Sequence, residues 1–261
     1  MALNDRQAQV LKLVRGRGFV SVEDLVDQFQ VTPQTIRRDI NSLCDEGLLR
    51  RFHGGAGLPS SAENLEYDTR KVLHHAAKQR IAERVVEHIP NGASLFINLG
   101  TTTEEVARRL CDHHGLRVIT NNLNVAAVLG RSKHAEVIVA GGVVRPRDLG
   151  ITGEATIDFV RQFRVDFGVI GISGIEADGT LRDFDYGEVR VSEAIIEQSR
   201  QVLLVADRSK FGRNALVQLG HLSDVDILFT DQPPPVSMAA VIADAGLRVC
   251  VAQAAEPAPV I

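Results

Sequence analysis

"VTPQTIRRDI", Val31 to Ile40, decides how this chain is to be read. Thr32 has the hydroxyl of an N-cap, and Pro33 brings the fixed φ of a first helical position, so a helix starts here. It continues through "QTIRRDINSLCDE" and stops at Gly47. Upstream, "SVEDLVDQF" opens on Ser21 as an N-cap, with Asp24 three residues later in the capping-box position. Only Gln30 and Val31 separate Phe29 from Thr32. Two helices so closely joined meet at a sharp angle, which predicts a helix-turn-helix over about residues 20–39.

At about 100° per residue, Ile36, Ile40 and Leu43 fall on one inward stripe of the second helix. Gln34, Arg38 and Asn41 fall opposite, with Thr35 and Arg37 on the flanks. Arginine and glutamine on an isolated helix most often mark a solvated face. The next segment shifts the balance. "LLRRFHGGA" combines apolar residues, two arginines, a histidine and a Gly-Gly turn, as a hairpin beside the helix would. Such a wing sets Arg50, Arg51 and His53 against a phosphate backbone while the helix offers donors to base edges.

Bulk properties agree with a local rather than a global basic surface. The chain has 261 residues and a net charge of -4, which excludes a uniformly basic nucleic-acid coat. Cys44, Cys111 and Cys250 are odd in number and far apart, which supports neither a disulfide framework nor a zinc site. No apolar run reaches membrane-spanning length, and "MALNDRQAQV" has no signal pattern, so a cytoplasmic protein without membrane attachment is expected. The histidine pairs His74–His75 and His113–His114 lack metal-ligand spacing and read as solvated. No metal or cofactor is expected.

Four segments follow from the pattern: a winged helix-turn-helix over 1–57, a polar linker over 58–77, an α/β domain over 78–252 and a frayed tail over 253–261. "KQRIAERVVEHIP" is amphipathic, with Ile81, Val85 and Ile89 inward and Lys78, Glu83 and Glu87 off that face. Beyond Asn91, Val/Ile-rich runs such as "ASLFINL", "DFGVIGISGI" and "QVLLVAD" alternate with helical segments. Strands buried on both faces make a mostly parallel sheet with helices on each side.

Ligands of such sheets collect at the carboxyl ends of strands. "FINLGTTTEEV" runs from a strand through Gly100 into a helix beginning at Thr101, Thr102 and Thr103, whose free N–H groups suit an anion. No Gly-Lys-Ser/Thr follows, which argues against a nucleoside triphosphate. Asn121 in "TNNLN" and Gly141 and Gly142 in "AGG" stand at neighbouring strand ends. Lys210 in "DRSKFG" supplies a countercharge to phosphate, and Arg145, Arg147 and Asp148 are candidates for a polyol contact or lid.

Together these residues resemble the DeoR family of bacterial transcriptional regulators. The resemblance runs from "VSVEDLVDQFQVTPQTIRRDINSLCDEGLLRRFHGGA" through "NNLNVA", "GGVVRPRD", "GEATIDFVRQFRVDFGVIGISGI", "FDYGEVR", "DRSKFGRNA" and "DQPPPVS". It implies a homo-oligomeric repressor of double-stranded operator DNA, with a sensor domain similar to the ribose-phosphate isomerase fold. It also implies release by a small phosphorylated metabolite, glycerol 3-phosphate first and another sugar phosphate second. Thr32, Gln34, Thr35, Arg37, Arg38 and Asn41 then lie in or beside the major groove. Where the family often has an acid, this chain has Asn98, which keeps a hydrogen bond while removing a charge that repels phosphate.

The rival is a sugar-phosphate isomerase carrying a DNA-binding domain. Isomerisation needs a positioned base, and related enzymes have acids at the end of a strand similar to "DFGVIGISGI". Here Gly171, Ser173 and Gly174 stand there. Asp183, Asp185 and Glu188 remain, equally suited to hydroxyls or to pairing with Arg190. The expectation is a chain that is not an enzyme.

Overall fold

The computed structural model describes residues 3–17, 19–52, 55–57 and 67–253. Its contacts divide the chain into two units, Met1–Leu73 and His74–Ile261.

The first unit is a winged helix-turn-helix. It comprises α1 (Asp5–Arg17), β1 (Phe19–Ser21), α2 (Val22–Phe29), α3 (Pro33–Asp45), β2 (Arg50–Phe52), β3 (Gly55–Gly57) and α4 (Tyr67–Val72). The Ser21 hydroxyl accepts from the Asp24 N–H, and the Asp24 carboxylate accepts from the Ser21 N–H, which completes the capping box. Thr32 caps α3 by accepting from the Thr35 N–H, with Pro33 in the first turn. Between α2 and α3, Gln30 adopts φ 52°, a left-handed turn that reverses the chain within two residues. β3 pairs antiparallel with both β1 and β2, so the Arg50–Phe52 hairpin is a wing.

Leu25, Ile36, Ile40 and Leu43 are buried against Val10, Val14 and Ala56. Each large aliphatic side chain so buried contributes about 1.5–3 kcal/mol. Asp39 is also buried, an acid among the inward residues that periodicity does not disclose, and Arg6 of α1 pairs with it at 2.5 Å.

The second unit holds α5 (His75–His88), β4 (Ser94–Ile97), α6 (Thr101–Arg109), β5 (Leu116–Thr120), α7 (Leu123–Leu129) and β6 (Ala135–Val139). Next come β7 (Val143–Val144), β8 (Ile151–Thr152), α8 (Glu154–Val160), β9 (Val165–Gly171), β10 (Gly174–Ile175), β11 (Thr180–Asp183) and α9 (Tyr186–Glu197). β12 (Ser199–Val205), β13 (Val217–His221), β14 (Ile227–Thr230), α10 (Ala239–Asp244) and β15 (Arg248–Val251) complete it. Seven strands form a parallel sheet in the order β15-β14-β12-β9-β4-β5-β6. β10, β11 and β13 form a small antiparallel sheet, and β7 pairs with β8.

Alternation along the strands divides the core. Leu95, Ile97, Val169, Leu203 and Phe229 join one cluster with Ile81 and Val85 of α5 and Val106 of α6. Phe96, Ile170, Leu204 and Leu228 face the other way, toward Ile157 of α8 and Ile195 of α9. The inner strands therefore bury both faces, the reason their sequences are so apolar, while the edge strands β6 and β15 are partly exposed.

Two expectations change. The stretch 58–77 contains α4 and the start of α5, so its described part is helical where a linker was expected. Lys78 is buried at 3% exposure, not off the apolar face: at about 100° per residue it falls between Ile81 and Ile89, on the stripe that Val85 shares. Residues 58–66 and 254–261, expected as linker and tail, lie outside the described residues.

Candidate functional site

On the first unit, Gln34, Arg37, Arg38 and Asn41 are exposed along α3, and Thr35 is half-buried. Arg50 and Arg51 are exposed on β2, while His53 lies outside the described residues. The Arg51 Nη1 donates to the Asn41 Oδ1 at 3.0 Å, so the wing is braced on the helix. Arg37, Asn41 and Arg51 line a cleft of about 700 Å³ with Val22, Glu23 and Asp27 of α2. Guanidinium and amide donors thus share one outward face, the chemistry that base edges and phosphates require.

On the second unit, chain order reverses between β4 and β9. β4, β5 and β6 run outward one way, and β9, β12, β14 and β15 the other. The crevice at such a switch point is where parallel α/β sheets hold ligands. Gly100 follows β4 and Gly171 ends β9, one on each side of this switch point. A Cβ on Gly171 would lie 3.3 Å from the Leu99 carbonyl oxygen, and Gly100 has φ 146°. Gly100 precedes α6 without any side-chain cap, while Thr101, Thr102 and Thr103 are buried. The Thr103 Oγ1 donates toward the Asn98 and Gly100 carbonyls, each at 2.8 Å.

Both ends of the Asn98 amide are held by the protein. Its Nδ2 donates to the Ser192 Oγ and its Oδ1 accepts from the Leu99 N–H, both at 2.7 Å. Asn121 is 1% exposed and donates to the Ile151 carbonyl, while its Oδ1 has no partner among the described residues. Asn122 and Asn124 both donate to the buried Glu104 carboxylate. Gly142 is a packing position: a Cβ there would meet the Thr156 Oγ1 at 2.2 Å, and its φ is 151°. That hydroxyl donates to the neighbouring Gly141 carbonyl.

Arg145 draws three carboxylates together, Asp148 at 2.8 Å, Glu188 at 2.9 Å and Asp185 at 3.2 Å. Arg147 reaches Asp185 at 3.0 Å. Asp185 and Glu188 thus pair with Arg145, while Arg190 pairs with Glu193. Burial acts to raise the Asp185 carboxyl, but the Glu188 N–H, Arg145 and Arg147 outweigh it and hold it below its ordinary value. Asp183 accepts from the Ser173 hydroxyl and the Phe184 N–H.

A second charged group surrounds the end of β12. Asp207 is buried and caps the turn Arg208–Lys210 by accepting from the Ser209 N–H and hydroxyl. Burial raises its carboxyl, but Lys210 and the Ser209 bonds prevail and set it below the usual range. His74 feels Asp207, Arg208, Lys78 and Asp231, and burial lowers its imidazole. Spacing concealed this group, because Lys78 and His74 precede the sheet by a whole element.

The expected effector residues come from several strand ends. Gly141 follows β6 and Lys210 follows β12, four strand intervals away in the sheet order. That is ~19 Å at the strand ends, more than a triose phosphate spans. One histidine of each pair departs from the expectation of solvation: His74 and His113 are half-buried, while His75 and His114 are exposed. His113 is half-buried and its Nε2 lies 2.9 Å from the Ile89 carbonyl oxygen. Among the described residues no helix is long and apolar enough to cross a membrane. Nor is there a cluster of three His, Cys, Asp or Glu able to hold a metal.

Residues 6–62 match the DeoR-like helix-turn-helix domain, and residues 73–232 match the DeoR C terminal sensor domain. The chain is 54% identical over 244 residues to the glycerol-3-phosphate regulon repressor of Escherichia coli (strain K12), covering 94% of this chain and 97% of that protein. It is 55% identical over 229 residues to the repressor of the same name from Haemophilus influenzae, covering 88% and 89%. Ribose 5-phosphate isomerase A from Neisseria gonorrhoeae aligns over 51% of this chain and 52% of its own, at 15% identity and a TM-score of 0.38.

Proposed function

Given that this chain belongs to the DeoR family and is a DeoR-type transcriptional repressor, we propose that it represses genes of glycerol 3-phosphate metabolism and leaves its operator when glycerol 3-phosphate binds the second unit. The observation that carries the regulon and the inducer is the 54–55% identity, along most of the chain, to repressors named for that regulon.

In this reading α3 enters the major groove. Gln34, Thr35, Arg37, Arg38 and Asn41 face base edges, Thr32 stands at the helix start, and Arg50, Arg51 and His53 hold the wing to phosphates. The inducer's dianion sits between the uncapped α6 N-terminus and the cations Lys210 and Lys78. Its hydroxyls turn toward Asn121 and the carboxylates around Arg145. Gly100, Thr101, Thr102 and Thr103 shape the floor; Asn98, Gly141 and Gly142 shape the loops. Two-fold pairing of chains matches two operator half-sites, and the protein works in the cytoplasm, where the chromosome is.

The chain acts as a sensor rather than an isomerase. Glycine and Ser173 occupy the end of β9, and Asp185 and Glu188 are ion-paired with Arg145. A carboxylate held ionised by a guanidinium is a weak proton acceptor. Calorimetric titration of the purified protein tests the ligand assignment. Glycerol 3-phosphate binds with one site per chain and glycerol does not; equal heats from both would reject it.

A further inference from the structure

The Arg51–Asn41 bond joins a wing residue to the one amide of α3 that faces the cleft. An asparagine amide offers a donor at one end and an acceptor at the other, and nothing in its shape fixes which end points outward. At Asn41 the partner fixes it. Guanidinium has donors only, so the atom that meets Arg51 Nη1 at 3.0 Å has to be the Oδ1. The Nδ2 carries no other bond among the described residues, and the side chain is exposed.

We propose that Arg51 is a positioning residue for sequence readout: it locks the Asn41 amide with Nδ2 outward, so that Asn41 selects a base pair presenting an acceptor at that point in the major groove. This rests on the reading of α3 as the groove-facing helix and adds a role to Arg51 beyond backbone attraction. The acceptors concerned are the N7 and O6 of guanine, the N7 of adenine and the O4 of thymine. Without Arg51 the amide turns freely and meets donor-bearing and acceptor-bearing edges alike.

Sites enriched from a randomised duplex pool by the wild-type protein provide the probe. Affinities of wild type, Arg51→Ala, Asn41→Ala and the double variant are then measured on the enriched site with each base pair replaced in turn, at two salt concentrations. Circular dichroism verifies that each variant keeps its helices. The expected result is a loss of selectivity at one and the same base pair in both single variants, from about tenfold toward unity, with no further loss in the double variant. A variant Arg51→Ala that weakens every duplex equally, lowers the salt slope by about one and keeps all preferences would overturn the proposal and leave Arg51 a phosphate contact. A wild-type protein that enriches no sequence overturns the groove reading itself.

Discussion

Asp39 and Arg6 are joined across the first unit, Nε to Oδ2 at 2.5 Å, with the carboxylate buried and the guanidinium one-third exposed. The acid sits directly beside Arg37 and Arg38 on α3 yet faces inward, so it ties α1 to the helix that presents those arginines. Arg6→Ala leaves a buried carboxylate without its partner. The unit is expected to lose about 1.5–3 kcal/mol, the range for hydrogen bonds to charged groups, read as a lower urea midpoint. An unchanged midpoint would remove the pair from the fold's support.

Arg38 is exposed and free of the cleft that Arg37 and Asn41 line. Arg38→Ala is expected to cost roughly 1–3 kcal/mol of operator affinity and to relax preference at one position. Mobility shifts on base-substituted operators measure both. Unaltered affinity would place Arg38 outside the groove.

Lys210 lies at the end of β12 next to buried Asp207. Lys210→Ala keeps operator binding and loses most of the inducer response, measured as the glycerol 3-phosphate concentration that half-releases DNA. A variant released at the wild-type concentration would exclude Lys210 from the phosphate site.

Asn98 acts first through the fold. The Ser192 hydroxyl spends its hydrogen on the Glu188 carbonyl, so it meets Asn98 as an acceptor. Asn98→Asp sets a carboxylate against that lone pair at a position 1% exposed. The new carboxyl should be raised above its unfolded value by burial. Its folded form therefore holds a proton that the unfolded chain releases, and stability is expected to fall as pH rises above ~4. Unfolding midpoints at pH 5 and pH 8 check this; a variant as stable as wild type at both would refute it.

His74 titrates with the opposite consequence. Its folded imidazole is lowered, so below ~6.5 the unfolded chain takes up the proton first and the second unit loses stability as pH falls. His74→Asn suits the left-handed φ of 54° and removes this part of the decline. Chemical unfolding of both proteins between pH 7.5 and 5.5 is the comparison. Parallel decline in the two would assign the effect elsewhere.

The first unit was legible because its signals are local. Ser21 with Asp24 and Thr32 with Pro33 declare helix starts within four residues, and the apolar stripe of α3 fixes which face is buried. Asp39 escaped because its partner lies 33 residues away. The parallel sheet was legible from strands that bury both faces. Its candidate site was legible only in part. Gly100 and Lys210 sit at strand ends that any such sheet exposes, but strand order decides that they flank β9 while Gly141 lies beyond β5. Lys78 was misread because its charge points to solvent, although 100° per residue sets it on the same stripe as Ile81, Val85 and Ile89.

In the proposed function, a small phosphorylated ligand in the second unit releases DNA held by the first. Coupling of this kind is typically about 1–3 kcal/mol. The most direct measurement is a mobility shift on the enriched operator with glycerol 3-phosphate, glycerol and fructose 6-phosphate titrated in parallel. Release of the operator by glycerol 3-phosphate at a concentration where the other two leave the complex intact is the predicted result. An operator complex that persists at saturating glycerol 3-phosphate, or that glycerol dissolves equally well, would contradict it.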